Sequence, residues 1–295
     1  MPKFRIEFTS PVEIEWVRIV TEWRDKIPVS KKVEVIEIVF DAGVQLTNFD
    51  PIHIVLLSCF IDEIQTKGYL VFLRFKDEKL YDHLFNEINL KTYWGRNKID
   101  HIDSPIISDL NIWRITENGK EFYSISVHDY FKRSYFSEFD LSLLKNALNE
   151  LYFNVFDHAE AHGNAFSFIR YDKEAGKIGV AICDFGKGIA RTLREKYPNF
   201  ENDSVALENS IKVGVSAHTQ KYNKGFGLDN VTSSLRKGDI LRIVSNEALL
   251  NIDDDNSNVR VLSLPFDFKG TLIYFDIAID SFEKEEMLED FSFLD

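Results

Sequence analysis

The sequence predicts an α/β protein built from two units, and three observations support this prediction. Residues 33–89 alternate apolar strands with amphipathic helices, residues 139–161 have the spacing of one long helix, and residues 166–183 and 240–277 are rich in strand-forming runs. Such alternation is typical of α/β folds. The 295 residues are enough for two domains that each bury a core. The predicted units are residues 1–135 and 136–281, followed by an acidic tail at 282–295.

The composition indicates a globular protein without a membrane or nucleic-acid signature. It is 44% hydrophobic and 28% charged, and its formal net charge of -13 opposes broad binding to nucleic acid or anionic membranes. The longest apolar stretch, Ile52 to Ile61, is about half of the ~20 residues that a membrane span needs. The N-terminus lacks a signal-peptide pattern, and Cys59 and Cys183 lie in apolar segments, as reduced core thiols do. We therefore expect a cytoplasmic protein.

In the first unit, the order strand, helix, strand, helix predicts some parallel pairing. The first of these helices has a clear start, because Asp50 is a good cap and Pro51 suits the first helical position. The predicted elements are a strand at Val33 to Phe40, a helix from Asp50 to Lys67, a strand at Tyr69 to Phe75 and a helix at Asp77 to Asn89. Further short strands are predicted at Trp113 to Ile115 and at Phe122 to Val127.

In the second unit, a long helix precedes a series of strands joined by polar turns. The predicted helices are Phe139 to Ala161, Val205 to Gly214 and Leu228 to Arg236. The predicted strands are Phe166 to Tyr171, Lys177 to Cys183, Ile240 to Ser245, Val259 to Leu264 and Gly270 to Ile277.

The first segment that carries chemistry is Asn149 to Ala159. Glu150, Asn154 and His158 lie four residues apart there and share one helix face. A carboxylate can accept a proton from an attacking group, and an amide oxygen can ligate magnesium without adding charge. The same pattern also fits an amphipathic helix whose polar face meets solvent. His158 and His162 have a chelating spacing, but packing of His158 at the helix end is the better interpretation.

The second segment begins at Asp184, directly after the apolar strand Ile178 to Cys183. A carboxylate in that place can accept a hydrogen bond from the amino group of adenine. Gly186 and Gly188 allow the backbone to turn sharply and to approach the base closely. The alternative is an ordinary turn after a strand.

The third segment is Gly225-Phe226-Gly227-Leu228, where two glycines directly precede a predicted helix. Free backbone N–H groups at a helix start form a natural phosphate site. Lys221 and Lys224, just before it, are candidate contacts to a γ-phosphate, although lysines in a polar loop also occur simply as solvated side chains.

The order, spacing and context of these segments resemble the GHKL superfamily of gyrase subunits, chaperones, mismatch-repair ATPases and sensor histidine kinases. The resemblance covers roughly residues 140–280. It implies an ATP site in a Bergerat-type α/β sandwich, with helices on one face of a mixed sheet. It also implies that Glu150 is the general base, Asn154 the magnesium ligand and Asp184 the adenine reader. The other nucleotide-contacting positions that it implies are Gly186, Gly188, Ile189, Lys224, Gly225, Gly227, Leu228 and Thr271.

The first unit is similar to a STAS domain of the anti-sigma-factor-antagonist type, from Gly43 to Phe85. Such domains often present a phosphorylatable serine before their first helix, whereas only Thr47 is near that place here. We therefore expect this unit to hold a partner protein or a second copy of the chain rather than to be phosphorylated.

These features predict a regulatory protein that uses Mg-ATP for slow hydrolysis or for Ser/Thr phosphotransfer that controls a partner. The alternative is a non-catalytic adaptor whose partner affinity changes when ATP binds. A base at Glu150 favours the enzyme, either an ATPase or an anti-sigma-like serine/threonine kinase. The acidic tail, with Phe282 and Phe291, is either a docking segment or a last helix packed on its own domain.

Overall fold

The chain forms a mixed α/β structure with one parallel and one antiparallel sheet. The computed structural model describes residues 2–94, 99–103, 106, 108–157, 165–212, 228, 231–232, 235–253 and 258–285, apart from the side chains of 156 and 157. Within these ranges, no helix is both long and apolar enough to cross a membrane.

Two strand–helix–strand crossovers build the first sheet, whose three strands run parallel in the order β1-β2-β3. This confirms the parallel pairing that the sequence predicts. The strand β1 and the helix α1 are additional, because sequence reasoning assigned no element before residue 33. The elements are β1 (Phe4–Phe8), α1 (Glu13–Lys26), β2 (Glu34–Phe40), α2 (Pro51–Thr66) and β3 (Tyr69–Phe75).

Helix α2 is covered on both sides. Thirteen of its sixteen residues are buried, so it has no solvent-facing stripe of the kind that a surface helix shows. Asp50 caps its start, and the Asp50 N–H donates to His53 Nδ1 at 2.9 Å. On one side α2 packs against the first sheet, and on the other it packs against Phe166, Phe168 and other residues of the second sheet.

The segment between the sheets contains one element that the sequence analysis assigned wrongly. Residues 122–127 form part of helix α4 rather than a strand. Its buried side chains Tyr123, Val127 and Phe131 recur every four residues, which is the helical period. A window of six residues, four of them β-branched or aromatic, is too short to show that period. The elements here are α3 (Glu78–Asp82), a π-helical turn (His83–Glu87), a 3-10 turn (Leu90–Trp94), β4 (Asp109–Arg114) and α4 (Lys120–Ser134).

The second sheet has five strands in the order β4-β5-β6-β8-β7. Each neighbouring pair is antiparallel, so the expected mixed sheet is wrong for this unit. The β5–β6 and β7–β8 pairs are hairpins, and hairpin connections force antiparallel pairing. The elements are α5 (Ser142–Asp157), β5 (Ala165–Asp172), β6 (Lys177–Asp184), α6 (Ile189–Lys196), α7 (Asp203–Ser210), β7 (Ile240–Asp253) and β8 (Asn258–Ala278).

Both faces of the second sheet are covered by helices, whereas the sequence analysis expected helices on one face. Val180 and Ile182 of β6 share a core with α4, α5, α6 and α7. Ala181 and Cys183 point the other way and share a core with α1 and α2. Strand β4 and helix α4, assigned to the first predicted unit, pack with the second sheet. Cys59 and Cys183 are both buried and are not joined by a disulfide, as the sequence predicts, and the Cys59 thiol lies 3.2 Å from the Cys183 carbonyl oxygen.

A short bridge fixes the chain after β8. The Asp140 N–H donates to the Glu283 carbonyl, and the Glu285 N–H donates to the Glu138 carbonyl, each at 2.8 Å. Residues 283–285 therefore lie beside residues 138–140, just before α5. Residues 286–295 of the predicted tail lie outside the described residues.

A buried ion pair joins α2 to the second sheet. Arg114 Nη1 on β4 lies 2.9 Å from Asp62 Oδ1, and both side chains are 5% exposed. The guanidinium also donates to the Tyr93 carbonyl at 3.1 Å and lies 4.5 Å above the Phe166 ring. Removing one member of a buried pair leaves the other charge poorly compensated.

We therefore expect Asp62→Ala to lower the free energy of unfolding by about 3–5 kcal/mol, as for other broken buried pairs. Glu22→Ala, which removes exposed ion pairs with Arg18 and Lys26, serves as the control and should change the free energy of unfolding by less than about 1 kcal/mol. Urea denaturation followed by circular dichroism measures both variants. Equal effects of the two substitutions would contradict the importance of the buried pair.

Candidate functional site

The candidate site begins where strand β6 ends. Asp184 is the last residue of β6, and Thr271 lies opposite it on β8. They are 3% and 5% exposed. By strand alternation both side chains point to the face that carries α5. The Gly186 N–H donates to Asp184 Oδ1 at 2.9 Å and closes the turn that follows the strand.

The electrostatic environment of Asp184 is unusual for a carboxyl group. Burial raises the pKa of Asp184 to about 7, although the Gly186 N–H, the charge of Arg24 and hydrogen bonds from Thr271 act in the opposite direction. A carboxyl with such a pKa exists at neutral pH as a mixture of the acid and the carboxylate. Groups with such perturbed pKa values cluster at functional sites, although structural networks also produce them.

A β-bulge lies beside the Asp184–Thr271 pair. Ser245 pairs with Thr271 and Asn246 with Phe268, so Lys269 and Gly270 bulge out of β8. Gly270 has φ +140°, and a Cβ there would lie 2.2 Å from the Asp184 carbonyl oxygen. Only glycine therefore fits at position 270, where β8 passes close to the end of β6.

Asn246 organises the glycine turn, and sequence reasoning missed it. It is fully buried with φ +53°. Its Oδ1 accepts the Arg191 N–H at 3.0 Å, and its Nδ2 donates to the Lys187 carbonyl at 3.1 Å. No local signal in the sequence marks it, because β7 carries other polar residues such as Arg242 and Glu247.

Gly188 packs closely against two neighbouring strands. A Cβ on Gly188, whose φ is +89°, would lie 2.3 Å from Asn246 Oδ1 and 2.9 Å from the Gly270 carbonyl. Gly188 therefore approaches strands β7 and β8 closely, and its approach to the base stays a prediction. The first N–H groups of α6 are also engaged, since the Ala190 N–H donates to Ser245 Oγ at 3.3 Å.

Helix α5 carries Glu150 and Asn154 above the same end of the sheet. Both side chains are half-buried and border the stripe of α5 that packs on the strands. The Tyr152 hydroxyl is 2.9 Å from Ser167 Oγ on β5, and Ser167 pairs with Ile182, two residues before Asp184. Strand geometry separates Ser167 from Asp184 by roughly 8 Å between Cα atoms. The helix segment that carries Glu150 and Asn154 therefore lies near Asp184.

The remaining predicted positions fall into two groups. Ile189, the first residue of α6, is half-buried, and Leu228 is buried, and both pack in the core of the second unit. The others lie outside the described residues: His158, His162, Lys221, Lys224, Gly225 and Gly227.

Among the described residues, no three His, Cys, Asp or Glu side chains form a group that could hold a metal ion. Magnesium commonly takes only one or two protein oxygen ligands and completes its shell with water and phosphate. The amide oxygen of Asn154, the predicted magnesium ligand, is a donor of that kind.

Neither a scan against models of protein families nor a search of curated proteins finds a match to this chain. The assignment of function therefore depends on the residues and geometry of the site.

The first prediction for the site concerns Gly188. Gly188→Ala should lower the free energy of unfolding by about 3 kcal/mol, because it combines a left-handed backbone with displacement of the buried Asn246. Gly176→Ala is the matched control: its φ is +64°, but a Cβ there meets nothing within 4 Å. Gly176→Ala should lower the free energy of unfolding by only about 1 kcal/mol. Urea denaturation of both variants measures the difference, and equal costs would contradict the packing role of Gly188.

The second prediction concerns the pH dependence of stability. The pKa of Asp184 is raised in the folded state, so the folded chain binds more protons than the unfolded chain between about pH 4 and pH 7. The contribution of Asp184 to stability therefore falls as the pH rises through that window. Asp184→Asn removes the titrating group. From pH 5 to pH 8, the free energy of unfolding of this variant should therefore rise by about 2–3 kcal/mol relative to that of the wild type. Denaturation curves at both pH values test this, and parallel behaviour of the two proteins would contradict the raised pKa.

Proposed function

We propose that this chain is an ATP-binding regulatory protein with a histidine-kinase-like site of the GHKL type. It uses Mg-ATP for slow hydrolysis or for phosphotransfer to a Ser or Thr of a partner protein. One observation carries the proposal: a buried Asp184 lies opposite Thr271 beside a β-bulge, under the helix that carries Glu150 and Asn154. These are the residues to which the sequence resemblance assigns adenine recognition, water bridging, the base and the magnesium ligand.

The burial of Asp184 supports a role in recognising a ligand. Its ionised form is destabilised by desolvation, which lowers the stability of the free protein at neutral pH. Natural proteins retain such costs mainly where function requires them. An adenine amino group would donate a hydrogen bond to this carboxyl, and a site built around that bond rejects bases that lack the donor.

Helix α5 supplies the groups for chemistry at the phosphates. Asn154 would hold the magnesium ion, and Glu150, one turn earlier on the same side of α5, would accept the proton of the attacking water or hydroxyl. When bound, magnesium neutralises charge on the phosphate oxygens. Thr271 and the Gly186 N–H fix the position of the Asp184 carboxyl.

The Bergerat-type fold is part of the proposal for residues 136–281. In its favour, α5, α6 and α7 all lie on one face of the second sheet. The antiparallel pairing of all five strands differs from the mixed sheet that the resemblance implies. The proposal therefore depends on the site residues rather than on the strand pattern.

A second candidate function is a nucleotide-gated adaptor with little turnover. It is favoured by the direct packing of α1 and α2 on the back of the strand that ends at Asp184. Occupancy of the site would then change the first sheet and the partner, or second copy of the chain, that it holds. Measured turnover separates the two functions, because an adaptor needs no base at Glu150.

The test follows binding of ATP by calorimetry and release of its γ-phosphate, with magnesium, in four proteins. The wild type should bind and turn over. Glu150→Gln should bind with similar affinity and lose turnover by about 100-fold or more, the usual contribution of a general base. Asp184→Asn should weaken binding by about 10-fold or more, since it removes a hydrogen bond to a charged group.

Glu174→Gln, in the exposed β5–β6 turn at the other end of the sheet, makes the same charge change and should behave as the wild type does. Wild-type binding without turnover and without transfer to an added partner would favour the adaptor. Absence of ATP binding by the folded wild type would refute the ATP site.

A further inference from the structure

The guanidinium of Arg24, on the last turn of α1, reaches across to the back of the candidate site. Its Nε lies 2.6 Å from Glu63 Oε2 on α2, and its side chain is only 12% exposed. Its Nη1 donates to the Lys269 carbonyl at 2.6 Å. One side chain from the first half of the chain thus contacts the β8 bulge directly.

The hydrogen bond from Arg24 reaches the Lys269 carbonyl at a point where β7 and β8 are not paired. Lys269 and Gly270 have no partner in the β7–β8 register, so the usual strand-to-strand hydrogen bonds are interrupted there. Arg24 supplies a charged donor to the carbonyl of Lys269, the first of these two residues. The Lys269 side chain is held as well, since its Nζ lies 2.9 Å from Asp25 Oδ1. The end of α1 therefore fixes the peptide that precedes Gly270 and Thr271.

The same guanidinium fixes the residue that follows Asp184. It lies 3.7 Å from the centroid of the Phe185 ring, a close cation–π contact. The Phe185 ring also packs edge-on against Phe268, with 5.8 Å between centroids. Arg24 therefore contacts the chain just after Asp184 and just before Gly270 and Thr271.

We propose that Arg24 is a positioning residue for nucleotide binding, through which the first half of the chain controls the geometry of the Asp184–Thr271 pair. This inference rests on the proposed function. Arg24 does not touch the nucleotide in this proposal. It holds Phe185 and the β8 bulge so that Asp184 and Thr271 stay opposite each other. A change in α1, such as one caused by a partner bound to the first sheet, would thereby alter ATP affinity.

Several elements bring polar or titratable groups near Asp184. Helix α1 contributes the positive charge of Arg24, and strand β8 contributes the hydrogen bonds of Thr271. Helix α2 contributes the Cys59 thiol, whose pKa is raised well above its ordinary value by burial, so that it is neutral. Glu150 on α5 lies over the same end of the sheet. Arg24 is the cation among the groups that lower the pKa of Asp184.

The experiment uses the full chain with two substitutions at Arg24 and one control. Arg24→Met keeps the length of the side chain and removes the charge and donors. We expect ATP affinity to fall about 3- to 30-fold, the range found for residues that act on a site through others. The pKa of Asp184, followed by NMR of its carboxyl carbon, should rise further because the cation is gone.

Arg24→Lys keeps the charge but lacks the planar fork and ring-stacking surface. Compared with Arg24→Met, this variant should have a pKa of Asp184 closer to the wild-type value. Its ATP affinity should lie between those of Arg24→Met and the wild type. If Arg24→Met fails to fold, Arg24→Lys still tests the inference through its reduced affinity. Arg18→Met is the control, because it makes the same change on α1 at an exposed ion pair with Glu22. It should alter neither measurement.

Two outcomes would overturn different statements. A folded Arg24→Met protein with a wild-type titration of Asp184 and ATP affinity within about two-fold of the wild type would refute the role of Arg24. A wild-type chain that binds no ATP would refute the proposed function. In that case the titration of Asp184 decides by itself whether Arg24 acts on the site.

Discussion

The burial of helix α2 between two sheets is the constraint on which the rest of the structure depends. A helix that is apolar on nearly all sides must be covered on all of them, and neither sheet can do this alone. The parallel sheet covers one side and the back of the antiparallel sheet covers the other. The Asp62–Arg114 pair lies in this interface and joins α2 to the second sheet by a buried ion pair. The two halves of the chain consequently share one interior.

This shared interior brings the first half of the chain to the candidate site. Since α1 and α2 pack on the back of β6, the last turn of α1 comes to lie beside Phe185 and the β8 bulge. On the front of the sheet, α5 occupies the other face above Asp184. The site is therefore held from both sides, and glycines at 188 and 270 allow the strands and the turn to approach closely. Such preorganisation from several rigid elements suits ligand recognition.

Local signals in the sequence identified much of the fold and part of the site. The strands at 34–40 and 69–75 and the cap at Asp50 depend on nearby residues only, and they were predicted. Residues 122–127 were assigned wrongly because a short window does not separate the two periods. Asn246 and Arg24 could not be found in this way, since their partners lie far away in sequence. The covering of the second sheet by α2 was not predicted for the same reason, because it joins parts of the chain that lie far apart in sequence.

The order of the strands has a consequence for synthesis of the chain. Strand β8 lies in the interior of the five-stranded sheet, between β6 and β7, yet it is the last of the five to leave the ribosome. Until it emerges, β7 has no neighbour, Asp184 has no Thr271 opposite it, and Arg24 has no bulge carbonyl to hold. Nascent chains that stop before residue 271 expose the edge of β6 and lack half of the pair. Completion of the candidate site during translation is thus coupled to closure of the sheet, so that prematurely terminated products lack the complete site and are open to proteolysis.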